Sequence, residues 1–206
     1  MKKEIYDYMD LIPLYPEIFS WLTGKTLGGV AKKGYFQYFD KELWIPIKEF
    51  IISVRQKKNK SKLDYEFLSC CYTGELYRIQ TYNPRKKGFV CPMGYYQSWT
   101  REEGLKEISR MGGSLLLLCG HATEKDIAID TFRLLCFMFK YLDIKISDSY
   151  HEPSQLCEYE KECEIVMPIH KSSIDNLIVV DSREVMRWRI NGSGLAQEKW
   201  YRADLK

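Results

Sequence analysis

Two glycines, Gly112 and Gly113, lead into the apolar run Leu115, Leu116, Leu117, Leu118 and Cys119, which Gly120 closes. That run constrains the fold more than any other stretch. It falls well short of the ~20 residues that a membrane-crossing helix needs. A short, fully apolar run bounded by glycines reads as a buried strand, here 114–119. Downstream, Ile127, Ala128, Phe132, Leu135, Met138, Phe139 and Leu142 form a wide apolar face at helical spacing. This is the strongest helical pattern in the chain, over 127–142. Thr123 is its expected N-cap, and Glu124 and Asp126 suit the first turn electrostatically. A buried strand feeding an amphipathic helix means a chain that mixes α and β elements. With 206 residues, 45% of them hydrophobic, there is ample apolar mass for a core.

The rest of the chain adds elements of both kinds. Leu43, Ile47, Phe50, Ile51 and Val54 recur at helical steps within 39–55. Pro46 interrupts that pattern, so the regular helix is expected to start there or to kink there. Strands are expected at 26–31, 65–72, 76–82, 88–96, 163–169 and 177–180. Thr73-Gly74-Glu75 would turn the second of these into the third as a hairpin. Pro92 assigns 88–96 to an edge or a bulge. Residues 1–25 read as a lead-in, with Pro13 and Pro16 excluding one long helix. Arg55, Lys57, Lys58, Lys60 and Lys62 form a basic run that reads as a solvated helix end rather than a phosphate site.

Two stretches repeat one order of elements. A strand, a helix and a closing strand occur over 26–96 and again over 114–170. On superposition Trp44 meets Phe132, Ile47 meets Leu135, and Phe50 meets Met138; Val90 and Val166 each open a Val-x-Pro-apolar closing motif. The repeat predicts an α+β fold of duplicated β-α-β-β units. Their strands would form one antiparallel sheet, with two long helices on one face and a groove between the halves. The expected organisation is a lead-in at 1–25, the duplicated domain at 26–170 and an extension at 171–206.

Charge and cysteine usage narrow the function. The net charge of +3 is too weak to argue for DNA or a membrane as partner. The N-terminus lacks the apolar core of a signal peptide. Cys70, Cys71, Cys91, Cys119, Cys136, Cys157 and Cys163 are odd in number and mostly sit in apolar runs, which fits free thiols in the cytoplasm. Cys119-x-His121 and Cys157-x5-Cys163 lack the paired spacing of a zinc site, and the glycine pairs do not open helices as phosphate loops do. Neither a metal nor a cofactor is expected. Cys91 or Cys119 beside His121, His151 or His170 would make a thiol–imidazole pair only if the fold joined them, and structural thiols are the favoured reading.

Gly112 to His121, then Thr131-Phe132, then Tyr150-His151-Glu152-Pro153, then Cys163 to Ile169, resembles the second half of gyrase-inhibitor-like (GyrI-like) domains. Gly28-Gly29-Val30, Lys33-Gly34-Tyr35 and Leu43-Trp44 resemble the first half. These effector-binding domains accompany many AraC- and MerR-type transcription regulators. The resemblance implies an aromatic-lined groove with an acid at the start of the closing strand, facing cationic lipophilic ligands. That acid is Glu164, and Trp99, Tyr96, Tyr150 and Trp44 are the expected aromatic lining. The resulting expectation is a module that senses or sequesters a small molecule, with a binding role favoured over an enzymatic one. Two alternatives stay open. In one, Glu164 is the general base of a hydrolase with Tyr150 as its orienter. In the other, the basic and aromatic tail around Arg183, Arg187, Trp188, Arg189, Trp200, Tyr201 and Arg202 docks a protein partner or a second copy of the chain.

Overall fold

The computed structural model describes residues 4–23, 39–81, 96–102, 114–144, 160–168, 174–181 and 201–202. A 3-10 segment, Tyr8–Leu14, runs into helix α1, Tyr15–Thr23. A π-helical turn, Asp40–Trp44, runs into α2, Ile45–Gln56; α3 is Lys62–Leu68 and α4 is Thr131–Tyr141. The strands are β1 Cys71–Tyr72, β2 Gly74–Thr81, β3 Tyr96–Thr100, β4 Ser114–Ala122, β5 Ala128–Asp130, β6 Glu164–Pro168, β7 Ile174–Asp181 and β8 Tyr201–Arg202. They form one sheet in the order β1-β5-β6-β3-β2-β4-β7-β8, and every pairing is antiparallel. The fold is therefore α+β. The helices α1 to α4 share one core with Tyr96, Ile129 and Val166 of the sheet, so they gather on one face of it.

Antiparallel register fixes which side chains share a face. Tyr96, Ser98 and Thr100 lie opposite Pro168, Val166 and Glu164, and Val166 lies opposite Ile129. These belong to the helix face. Gln97 and Trp99 lie opposite Met167 and Ile165, on the other face. That second face is buried as well, because Leu76, Trp99, Leu118, Ile165 and Met167 are all inaccessible. A strand buried on both sides reads as a continuous apolar run, which is why β4 and β6 are legible in the sequence.

Several expectations hold. α2 begins at Ile45 with Pro46 in its first turn, where a missing N–H costs nothing. Its buried face is Ile47, Phe50, Ile51 and Val54, continuing from Leu43. β4, β6 and β7 occupy their expected stretches. The 3-10 geometry of Tyr8–Leu14 accommodates Pro13 before α1 starts, so no single long helix forms.

Other expectations are corrected. Residues 62–68 are a helix, not the first part of a strand over 65–72. Ser61 and Asp64 cap it reciprocally, each side chain accepting the other's backbone N–H. Only Cys71 and Tyr72 remain as strand, and they pair with β5, so β1 and β2 make no hairpin. Thr123 caps no helix. Asp126 accepts its N–H and its hydroxyl in a turn, and Ile127 follows in the left-handed region at φ 51°. Ala128 to Asp130 then run as strand, and Asp130 caps α4 by accepting the Arg133 N–H at 2.9 Å. The late start shifts the buried face. Leu134, Leu135, Phe137 and Met138 are buried, Phe132 is partly so, and Phe139 is 45% exposed. Residues 8–23 are no mere lead-in, because Leu11, Leu14, Tyr15, Ile18, Phe19 and Trp21 are core. The stretch after 171 supplies two strands of the sheet, β7 and β8. The strand expected at 26–31, most of that expected at 88–96, and His151, His170, Cys91 and Cys157 lie outside the described residues.

One polar cluster ties the N-terminal segment to this framework. Asp64 is 3% exposed and accepts from the Tyr8 hydroxyl (2.7 Å), Lys57 Nζ (2.6 Å), and the N–H and hydroxyl of Ser61 (both 2.7 Å). Burial alone would raise its pKa. The Lys57, Tyr8 and Ser61 bonds outweigh burial and hold the carboxyl well below the usual carboxylate range.

Two outcomes follow from this packing. Phe137 touches the rings of Tyr8, Phe67 and Tyr141. In chemical denaturation Phe137→Ala should cost about 3–5 kcal/mol, and Phe132→Ala only about 1–2 kcal/mol. The ionised Asp64 stabilises the fold above the unfolded carboxyl pKa, about 3.9, and that contribution is lost as pH falls toward its lower folded value. Thermal melts of Asp64→Asn should therefore lie below wild type at pH 7, and the gap should close on acidification below about pH 4.

Candidate functional site

The π-helical turn is the local feature from which the site grows. Its widened turn closes with the Ile45 N–H donating to the Asp40 carbonyl, and both Asp40 and Trp44 are buried. Such turns are rare and recur at functional sites. Asp40 Oδ1 accepts the backbone N–H of Tyr96 at 3.0 Å, which joins the turn to the start of β3. The Trp44 ring stacks on the Tyr96 ring, centroids 6.2 Å apart at 26°. Trp21 of α1 meets Trp44 edge-on at 5.2 Å and Phe39 at 5.0 Å. Four aromatic rings and one carboxylate thus meet between α1, the π turn and the sheet.

The electrostatics of this cluster are unusual. Burial pushes the Asp40 carboxyl up to about 6, against the opposing pull of the Tyr96 N–H. Burial, with the nearby Asp40, lifts the Tyr96 hydroxyl above the usual phenol range. Trp44 Nε1–H and the Tyr96 hydroxyl are buried and have no hydrogen-bond partner among the described residues. Each such orphan costs about 1–3 kcal/mol relative to a satisfied group. A titratable carboxyl with a raised pKa, beside two unsatisfied polar groups in an aromatic setting, has the character of a binding site.

The structure describes four of the five residues that the sequence singled out, and brings two of these together. Trp44 and Tyr96 are brought together as a stacked pair. Glu164 shares their sheet face but pairs with Thr100, four residues along β3 from Tyr96. At ~3.4 Å per residue that is roughly 13 Å away. Glu164 is partly exposed, and its carboxylate lies 3.5 Å from the Thr131 hydroxyl. Trp99 was expected beside Tyr96 as a groove wall beyond the closing strand. It lies within β3 on the opposite face, donating its Nε1–H to the Met167 carbonyl at 3.1 Å. Tyr150 lies outside the described residues. Sequence reasoning passed over Asp40. The available signal was its position one helical turn before Trp44, inside a pattern already read as helical from residue 39.

The cysteine and histidine positions carry different chemistry. His121 Nδ1 pairs with Asp175 at 2.8 Å on exposed surface, and that carboxylate raises the imidazole pKa. Cys119 lies two residues away on the same sheet face. Burial, then Asp175 and Glu75, push its thiol up to about 11, the opposite of an activated nucleophile.

Asp40 has a signature that stability measurements can read. Its folded pKa exceeds the unfolded value of about 3.9, so its contribution is fully present in acid and is lost as pH rises through about 6. Asp40→Asn keeps an acceptor for the Tyr96 N–H and removes the charge. It should raise stability at pH 7.5 by about 1–2 kcal/mol and flatten the loss between about pH 4 and 6, as followed by urea unfolding across that range.

No protein-family model, no curated protein and no solved structure matches this chain.

Proposed function

We propose that this protein binds a small amphipathic organic cation at Asp40, Trp44, Tyr96 and Trp21, and so senses or sequesters it. The observation that carries this reading is the buried carboxylate of Asp40 set against the stacked Trp44–Tyr96 pair. An ammonium group arriving there restores the charged form of the acid, and the ring faces add cation–π attraction. The Tyr96 hydroxyl offers a further acceptor. The resemblance to gyrase-inhibitor-like domains supports the same role, with the acid supplied by the π turn rather than by Glu164. The hydrolase and tail-docking alternatives need Tyr150 and residues 182–200, which lie outside the described residues.

The mechanism implies a proton linkage. At a pH below about 6 the carboxyl is protonated and a cation gains no charge pairing. Binding at pH 5 therefore releases a proton, and affinity rises with pH until the acid is ionised in the free protein. Calorimetry with benzyltrimethylammonium and with neutral benzyl alcohol tests the reading. The cation should bind more tightly at pH 7.5 than at pH 5. Asp40→Asn should weaken it by about 1.5–3 kcal/mol while leaving benzyl alcohol unchanged. Glu164→Gln should leave both unchanged. A cation that binds wild type and Asp40→Asn equally removes Asp40 from the site, and a loss confined to Glu164→Gln moves the site to β6.

A further inference from the structure

We propose a second binding site, on the outward face of α3, for a guanine nucleotide, either free or within a single strand of nucleic acid. An open cleft of about 570 Å³ lies over that face, lined by Lys62, Tyr65, Glu66 and Ser69. Its volume suits a small organic ligand. The lining is accessible: Lys62 and Ser69 are exposed, Glu66 is partly exposed, and Tyr65 is 63% exposed.

The helix holds this face outward by burying the opposite one. Phe67 is core and meets the rings of Tyr8, Phe50 and Phe137. The Ser61–Asp64 capping box and the Lys57–Asp64 ion pair fix the start of the helix. The lining positions 62, 65, 66 and 69 then recur at steps of three and four along one stripe. Ser69 ends the stripe, its hydroxyl donating to the Glu66 carbonyl at 2.6 Å. In sequence the basic run over 55–62 reads as solvated. The fold sets an exposed ring and an acid behind its last lysine, and a cleft over all three.

Each of these groups has a counterpart in one ligand. Tyr65 offers an exposed ring on which a base can stack. Lys62 offers its ammonium to a phosphate, and exposed Lys58 adds positive charge in the preceding loop. The Glu66 carboxylate has two acceptor oxygens and no donor. Two adjacent N–H donors match it, and guanine alone presents such a pair, N1–H and N2–H, on its Watson–Crick edge. The other bases present one donor position there. Lys62 and Glu66 do not neutralise each other. No ion pair joins them among the described residues, and lysine ahead of glutamate is the weaker order for a pair at this spacing. The two charges are set about 6 Å apart along the helix axis, so phosphate and base edge each meet the opposite sign.

Calorimetry on the full chain at low salt tests the assignment with GMP, IMP, AMP and guanosine. IMP keeps N1–H and lacks the N2 amine. GMP should bind about tenfold or more tighter than IMP or AMP, and tighter than guanosine. Glu66→Gln should abolish the preference for GMP over IMP. Lys62→Met should weaken GMP and leave guanosine unchanged. Tyr65→Ala should weaken all four ligands, and Tyr65→Phe should restore them. Asp40→Asn should leave GMP binding unchanged, which separates this site from the cation site. The trinucleotide UpGpU distinguishes the two sources: tighter binding than GMP assigns the ligand to a single strand, and weaker binding to a free nucleotide. Absence of GMP binding overturns the proposal. So does equal affinity for GMP, IMP and AMP, or a Glu66→Gln protein that keeps the preference.

Discussion

The rest of the structure depends on β3, five residues long and covered on both faces. It joins β6 on one side to β2 on the other, and so holds the two halves of the sheet together. Tyr96 turns toward the helices, where Trp44 stacks on its ring and Asp40 takes its N–H. Gln97 and Trp99 turn the other way. A strand in this position can shift by one residue only by exchanging its two faces. That would expel a stacked tyrosine from one side and bury a glutamine against the helices on the other. The register is thus set by the difference between two buried environments, not by a contrast of core and solvent.

Burial on both sides also explains why polar groups accumulate here. Asp40, Tyr96, Gln97 and Arg78 approach the same five residues; the first three are buried and Arg78 is half-buried. Burial pushes the Asp40 carboxyl up to about 6, and Arg78 Nε and Gln97 Nε2 find no acceptor among the described residues. Asp64 is as deeply buried as Asp40 but behaves oppositely, because a lysine, a tyrosine and a serine all donate to it. The comparison separates a carboxylate held by several donors from one that accepts a single backbone N–H among the described residues. Partner count, not burial, distinguishes the two.

Much of the layout was legible from side-chain pattern. The phase of α2, the proline at its start and the apolar runs of β4 and β6 all reflect periodicity, which local sequence carries directly. The misread stretches share a cause. Over 62–68 the Ser61–Asp64 capping box outweighed an aromatic-rich composition that suits strands. At 123–130 a left-handed Ile127 and a tight Thr123–Asp126 turn delayed the helix until Asp130 could cap it. Of the four proposed site residues that the structure describes, only Trp44 and Tyr96 meet. Alternation along β3 sends Trp99 to the opposite face, and the length of β6 carries Glu164 away.

The sequence by itself determined the class of fold, an α+β chain with a doubly buried strand and amphipathic helices, because hydrophobic period is a local property. It also singled out two of the aromatic residues that stack. The tertiary structure alone decided that Asp40 would meet them. It also decided that Arg78 would lie beside Gln97, 19 positions away in the chain. A carboxyl or a guanidinium looks the same in sequence whether it is hydrated or buried. Its charge, its partners and its use depend on which strands lie beside it, and strand order is a property of the whole sheet.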